Sequence, residues 1–123
     1  MKTLLVDDSR TMRAIHRGVL TQLGLVDIHE VDTARDALEH VAVRAPGLIL
    51  IDGALPDMRG AELVRSLRER GLRALVVLIS PEADTARVVE AMNAGADTYI
   101  ATPCTPDLLA QRITETLERC CAA

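Results

Sequence analysis

The sequence contains neither phenylalanine nor tryptophan, and Tyr99 is its only tyrosine. The chain therefore lacks the aromatic platforms on which many proteins stack single-stranded nucleic acid. Its formal net charge of -4 also disfavours a polyanionic partner. We expect no nucleic-acid partner, and a core built from leucine, valine, isoleucine and alanine.

Long apolar runs and cysteine frameworks are missing as well. No run reaches the roughly 18 residues of a membrane span, and Met1–Thr3 leads into a strand-like segment without the layout of a signal peptide. We expect a cytoplasmic protein that does not enter the membrane. Cys104, Cys120 and Cys121 form no disulfide framework. The final Cys-Cys-Ala-Ala formally fits a prenylation signal, although a frayed helix end is the simpler interpretation.

Strand-like and helix-like segments alternate five times along the chain. The predicted strands are Lys2–Val6, Asp27–Val31, Leu48–Asp52, Ala74–Ile79 and Asp97–Ala101. The predicted helices cover about 9–23, 33–44, 61–70, 80–93 and the segment that Thr105 opens. The third and fourth strands are almost uniformly apolar, which is typical of strands buried on both faces of a parallel sheet. We predict one α/β domain over residues 1–123, a doubly wound sheet with helices on both faces and no separate output domain.

Two local patterns carry specific expectations about the helices. The first helix should pack through apolar positions at helical spacing, which are Met12, Ile15, Val19, Leu20 and Leu23. Ser80-Pro81 is typical of an N-cap followed by proline at the first helical position, so the fourth helix is predicted to begin there.

Three carboxylates stand where apolar strands end: Asp7 and Asp8 after the first strand, and Asp52 at the end of the third. Ligands of open α/β sheets bind at the carboxyl ends of the strands. Converging carboxylates repel one another unless a cation such as Mg²⁺, which prefers oxygen ligands, lies between them. The pattern predicts an acidic, metal-dependent phosphoryl site. Taken singly, Asp7 could instead be a helix N-cap and Asp52 a turn residue.

The order of these residues resembles the receiver domain of two-component response regulators, in its single-domain, chemotaxis-regulator form. The resemblance covers essentially the whole chain. It rests on Asp7-Asp8, Asp52 with Leu55-Pro56 and Gly60 behind it, Ser80, Tyr99, and Thr102-Pro103. It implies a flavodoxin-like sheet of order 2-1-3-4-5 with five helices.

The resemblance also implies roles for the acidic residues. Asp52 would take a phosphoryl group from the phosphohistidine of a partner. Asp8 would bind Mg²⁺ directly, Asp7 would bind it through a water molecule, and the backbone carbonyl of Ala54 would complete the protein ligands. Such a protein is not an enzyme in the ordinary sense, since it catalyses only its own phosphorylation and dephosphorylation.

The same resemblance assigns switch residues. Ser80 matches a hydroxyl that contacts the phosphoryl group, with helix capping as the alternative. Tyr99 matches an aromatic residue that turns inward on activation, with a half-buried ring and a hydrated hydroxyl as the alternative. Pro103 should follow a cis peptide bond.

Thr102 departs from the family pattern, which places a lysine there. The only lysine of the chain is Lys2, at the far end of the first strand. The carboxylate cluster should then bind protons or metal more readily. Arg10 or Arg59 could supply a substitute cation, or Mg²⁺ alone could suffice; the second is favoured, because an arginine would have to reach the site from a different backbone position.

A basic stripe lies on the first helix, formed by Arg10, Arg13 and Arg17. In the family this helix docks a histidine kinase or phosphotransfer protein, and a solvated helix face is the alternative.

Three functions remain open at this point. The leading one is a monomeric, stand-alone phospho-accepting regulator that binds a target protein through helix four, strand five and helix five. The second is a degenerate receiver that works as a constitutive interaction module, favoured by Thr102 and Pro81. A small hydrolase of the aspartyl-phosphate type ranks last, because the chain lacks a cap domain.

Overall fold

The computed structural model describes residues 1–82 and 84–121, with side chains as far as residue 119. The side chains of Cys120 and Cys121, and with them the prenylation sequence, lie outside the described part. The strands are β1 (Lys2–Val6), β2 (Asp27–Val31), β3 (Leu48–Asp52), β4 (Leu75–Ser80) and β5 (Thr98–Ala101). The helices are α1 (Arg10–Gln22), α2 (Ala34–Val43), α3 (Gly60–Glu69), α4 (Thr85–Ala94) and α5 (Pro106–Cys121).

All five strands run parallel in the order β2-β1-β3-β4-β5. This confirms the doubly wound, flavodoxin-like sheet. Successive side chains of a strand point to opposite faces, and β3 shows the result, since Ile49 and Ile51 pack with α2, α3 and α4 while Leu48 and Leu50 pack with α1 and α5. Among the described residues, no helix is long and apolar enough to cross a membrane.

Helix α4 begins later than the sequence predicts. Ser80 is not its N-cap but the last residue of β4, where its carbonyl accepts the Thr102 N–H at 2.9 Å. Asp84 is the N-cap, and its side chain accepts the Arg87 N–H at 2.9 Å. The Ser-Pro pattern was misleading because pairing with β5, a contact distant in sequence, holds Ser80 in the sheet. Pro81 therefore lies in the loop between β4 and α4.

The buried face of α1 also differs from the prediction. Ile15 is 43% exposed, whereas His16 is only 5% exposed and takes a place in the buried stripe with Val19 and Leu20. Helical spacing allows either residue, and the stripe that runs from Met12 continues through His16.

Thr3 on β1 offers a simple test of core energetics. Its side chain is 1% exposed, and its hydroxyl has no hydrogen-bond partner among the described residues. An unpaired buried hydroxyl destabilises the folded state, so Thr3→Val should raise the free energy of unfolding by about 1 kcal/mol. Urea unfolding followed by far-UV circular dichroism measures the change.

Thr98 provides the matched control, because it is equally buried but fully paired. Its hydroxyl lies 2.6 Å from that of Thr116 and accepts from the Arg119 guanidinium at 3.0 Å. Thr98→Val should therefore lower the free energy of unfolding by about 1–2 kcal/mol. A loss of stability in both variants would contradict the interpretation of Thr3.

Candidate functional site

The acidic cluster forms because β1 and β3 are neighbours in a parallel sheet and end at the same edge. Asp7 and Asp8 follow β1, and Asp52 closes β3. One carboxylate oxygen from each of the three lies within 4.8 Å of the others. The predicted convergence is confirmed, and these residues could hold a metal ion.

Local hydrogen bonds fix two of these carboxylates. Asp7 Oδ1 accepts the Ser9 N–H at 2.8 Å, and Asp52 Oδ1 accepts the Ala54 N–H at 3.3 Å. Asp7 is not the N-cap of α1, because the Ser9 side chain performs that role by accepting the Met12 N–H at 3.2 Å. Each carboxylate is thus oriented by the chain that follows it, while its other oxygen remains available.

Burial raises the pKa of both Asp7 and Asp52. For Asp52 it raises the pKa to about 6, with repulsion from Asp7 and Asp8 adding to the shift and the Ala54 N–H opposing it. For Asp7 the Ser9 N–H and the nearby His16 oppose the effect of burial. An upward pKa shift is expected for carboxylates that lie close together, and its main cause here is that burial removes water from the ionised groups. Such a site favours a proton or a cation.

The three aspartates line a cavity of about 220 Å³. Its walls include Met12, His16, Pro81 and Thr102. Among the residues that the structure describes, no lysine or arginine lines this cavity, and His16 is the only lining side chain that can carry a positive charge. We call it the acidic cavity.

His16 is the site residue that sequence reasoning missed. Burial lowers the pKa of its imidazole, and Asp7 opposes that shift. The available signal was a histidine at the helical spacing of Met12, Val19 and Leu20, where an aliphatic residue is expected.

Ser80 and Gly53 lie against each other, and each is the chain neighbour of a residue that lines the acidic cavity, Pro81 and Asp52 respectively. Ser80 is 6% exposed, and its hydroxyl accepts the Glu82 N–H at 3.2 Å. A Cβ atom on Gly53 would lie 2.8 Å from Ser80 Oγ. Only glycine therefore allows the residue after Asp52 to pass so close to this hydroxyl.

Tyr99 of β5 contacts the loop after β4, and Thr102 donates its N–H to Ser80 at the end of β4. The Tyr99 ring is half-buried, and its hydroxyl donates to the Glu82 carbonyl rather than pointing only into water. The Thr102–Pro103 peptide bond is cis, as predicted.

The predicted basic stripe on α1 is partly engaged within the protein. Arg13 and Arg17 both pair with Glu30 of β2, at 3.0 and 2.7 Å. Arg13 also donates to the Asp7 carbonyl at 2.6 Å. Arg10 is exposed at the start of α1, and its side chain forms no ion pair among the described residues.

A doubly wound α/β domain with three carboxylates, a hydroxyl and an aromatic residue at one edge of its sheet is the arrangement typical of a class of signalling receiver domains. The profile described as response regulator receiver domain matches residues 3–114. The chain belongs to this family, whose members are signalling proteins rather than ordinary enzymes.

Two chemotaxis proteins and one solved structure to which the chain is similar agree with this assignment. The chain is 36% identical over 116 residues to chemotaxis protein CheY1 of Helicobacter pylori, covering 92% of this chain and 94% of that protein. It is 35% identical over 120 residues to a CheY homologue of Campylobacter jejuni, covering 95% and 92%. A CheY-like receiver domain protein from Methanospirillum hungatei superposes with a TM-score of 0.87 at 29% identity, covering 96% of this chain and 94% of that one.

Proposed function

We propose that this chain is a stand-alone, cytoplasmic response regulator in which Asp52 accepts a phosphoryl group from the phosphohistidine of a histidine kinase or phosphotransfer protein. The observation that carries the proposal is the convergence of Asp7, Asp8 and Asp52 within 4.8 Å at the carboxyl edge of the sheet. Chemotaxis relatives that match nearly end to end support a single-domain regulator.

The residues of the acidic cavity account for the transfer. An ionised Asp52 oxygen attacks phosphorus, the N–P bond breaks, and its electron pair returns to the donor imidazole. Because the pKa of Asp52 is raised to about 6, the carboxylate is ionised at neutral pH and still strongly basic for its type.

The donor set fits a hard divalent cation, because carboxylate oxygens are the ligands that Mg²⁺ prefers and three of them converge here. Asp7, Asp8, Asp52 and the backbone carbonyl of Ala54 would hold it. There Mg²⁺ would neutralise negative charge on the transferring group.

The output would be non-covalent. The Ser80 hydroxyl, which accepts the Glu82 N–H, would donate its own proton to a phosphoryl oxygen. Tyr99, bound to the Glu82 carbonyl, would move with that loop. A monomeric regulator would then bind its target through α4, β5 and α5. Arg10 would contribute to docking of the phosphodonor at α1.

A degenerate receiver is the second candidate. It is favoured by the acidic cavity itself, in which Thr102 and Pro81 line the wall and no described lysine or arginine does. In that case the domain would bind metal and a constant partner, without a stable phosphoryl group.

Intact mass after exposure to acetyl phosphate and Mg²⁺ tests the proposal. We expect a gain of about 80 Da, the mass of one phosphoryl group, that is absent in Asp52→Asn. Asp57→Asn is the control, because Asp57 is an exposed carboxylate on the loop that follows β3, where it accepts the N–H groups of Ala34 and Arg35. The adduct should form in this variant as in the unchanged protein.

Absence of the adduct calls for a second measurement with beryllofluoride, a phosphoryl mimic that does not hydrolyse. Binding of beryllofluoride would indicate a phosphoryl group that is lost too quickly to observe. No binding, with Mg²⁺ bound, would contradict the proposal and favour the degenerate module.

A further inference from the structure

A second cavity adjoins the acidic cavity and is lined by two arginines, whereas no lysine or arginine of the described residues lines the acidic cavity. Its volume is also about 220 Å³, and Gly53, Ala54 and Ser80 form part of its wall together with Arg59 and Arg87. Pro81 lines both cavities. The two arginines therefore lie beside the residues that border Asp52.

Arg59 is connected to Asp52 through the backbone. Residues 54 and 59 form an isolated antiparallel bridge within the loop between β3 and α3. Ala54, the other half of that bridge, donates its N–H to Asp52 Oδ1 at 3.3 Å. The backbone of Arg59 is thus one hydrogen-bonded step from the carboxylate, whereas Arg87 belongs to α4 and pairs with Glu82 at 3.0 Å.

The side chain of Arg59 reaches across to α4. Its guanidinium pairs with Glu90 of α4 and lies 3.9 Å from Glu62 of α3. The side chains of Arg59 and Glu90 are 45% and 37% exposed. Exposed pairs of this kind are weak because water and salt screen them.

A phosphoryl group on Asp52 would be a stronger partner for the same guanidinium. It carries close to two negative charges and three acceptor oxygens. Guanidinium groups bind such oxygens through two parallel charge-assisted hydrogen bonds, in a geometry that an ammonium cannot reproduce. Movement of the Arg59 guanidinium from Glu90 to the phosphoryl group is therefore favourable.

We propose that Arg59 is the cation of the phosphorylated site, and that its transfer from Glu90 to the phosphoryl oxygens releases α4. The proposal rests on the proposed phosphorylation of Asp52. It replaces the simpler expectation that Mg²⁺ alone compensates for Thr102. It also gives a route from Asp52 to α4, on which Val89 and Met92 are exposed apolar residues available to a target.

The test compares beryllofluoride binding, in saturating Mg²⁺, among variants of the full chain by isothermal titration calorimetry. Arg59→Gln should weaken beryllofluoride binding by about tenfold or more, since a charge-assisted pair is lost. Its Mg²⁺ affinity without beryllofluoride should stay close to that of the unchanged protein. Arg87→Gln is the matched control from the same cavity and should change neither affinity.

Glu90→Gln should act in the opposite direction. Removing the competing partner frees Arg59, so beryllofluoride should bind about threefold more tightly. In the double variant Arg59→Gln/Glu90→Gln that gain should disappear, because the two residues act through one interaction.

Three results would overturn the proposal. They are unchanged beryllofluoride affinity in Arg59→Gln, an equal loss in Arg87→Gln, and a gain from Glu90→Gln that persists without Arg59. If the unchanged protein binds Mg²⁺ but no beryllofluoride, the proposed function fails and Arg59 has no phosphoryl partner. If the unchanged protein binds beryllofluoride and Arg59→Gln binds it equally well, the proposed phosphorylation stands and the proposed role of Arg59 is rejected.

Discussion

Replacing Arg68 with methionine is expected to lower the free energy of unfolding by about 3 kcal/mol or more, the largest stability change that a single surface-facing side chain should produce here. The Arg68 guanidinium donates to the carbonyls of Leu72, Ala74 and Gly95 at 2.9, 2.7 and 2.9 Å, and to Asp97 Oδ2 at 3.0 Å. Methionine keeps the aliphatic length but removes the guanidinium donor from all three carbonyls and from Asp97.

The effect should be large because one side chain donates hydrogen bonds to backbone carbonyls at the ends of several elements. Leu72 and Ala74 belong to the turn after α3, and Gly95 ends α4 in a left-handed conformation with φ of 116°. Asp97 in turn accepts the Val76 N–H of β4 at 2.8 Å. Losing Arg68 therefore loosens both helix ends and the entry to β4 and β5 together.

Urea unfolding by circular dichroism, with Arg65→Met as control, measures this change. Arg65 is an exposed arginine of the same helix, and no hydrogen bond or ion pair of its side chain occurs in the described part of the protein. Its replacement should change stability by no more than about 0.5 kcal/mol. Equal effects of the two variants would show that the Arg68 hydrogen bonds contribute nothing beyond an ordinary surface arginine.

Asp8→Asn is expected to lower the affinity for Mg²⁺ and to raise the stability of the metal-free protein. It should weaken Mg²⁺ binding by about tenfold or more, because an exposed carboxylate of the cluster is lost. It should also make the metal-free protein more stable near pH 8, because Asp7, Asp8 and Asp52 repel one another when all are ionised.

The sign of the pH dependence follows from Asp52. Burial, with repulsion from Asp7 and Asp8, raises its pKa from an ordinary 3.8 to about 6. The folded protein therefore holds this proton more tightly than the unfolded chain does. The contribution of the protonated Asp52 to the free energy of unfolding is therefore complete below about pH 4, and it is lost as the pH rises through about 6.

The stability gained in Asp8→Asn should consequently be greatest at pH 8 and shrink towards pH 4, where Asp52 is protonated. Urea unfolding with a chelator at pH 4, 6 and 8 gives this comparison. Repeating it at pH 8 in saturating Mg²⁺ should reverse the order of the two proteins, since bound metal stabilises the folded state. A gain that is the same at every pH would contradict the repulsive cluster.

The sequence was a good guide where local pattern and final environment coincide. The apolar runs of β3 and β4 identify buried strands because nothing but a covered sheet accommodates them. The sequence also allowed the proximity of Asp7, Asp8 and Asp52 to be predicted, because parallel strands end at a common edge of the sheet. The strand order itself came from the family resemblance, which no periodicity could supply.

Features set by contacts distant in sequence were not predictable in the same way. Ser80 and Asp84 are both good helix caps, and pairing of Ser80 with Ala101 of β5 decides between them. The acceptors of Arg68 come from separate turns and carry no common motif. Arg13 and Arg17 were expected on an open helix face, and Glu30 of the edge strand meets them there.

The hydrogen bond from Tyr99 to the Glu82 carbonyl has a spectroscopic consequence. With no tryptophan and no phenylalanine in the chain, this phenol is the only source of intrinsic fluorescence and the dominant side-chain chromophore in the near ultraviolet. Its emission depends on the acceptor that its hydroxyl contacts. The unlabelled protein thus carries one optical reporter on β5, whose hydroxyl contacts the loop between β4 and α4. A rearrangement of that loop can be followed in real time without an added dye.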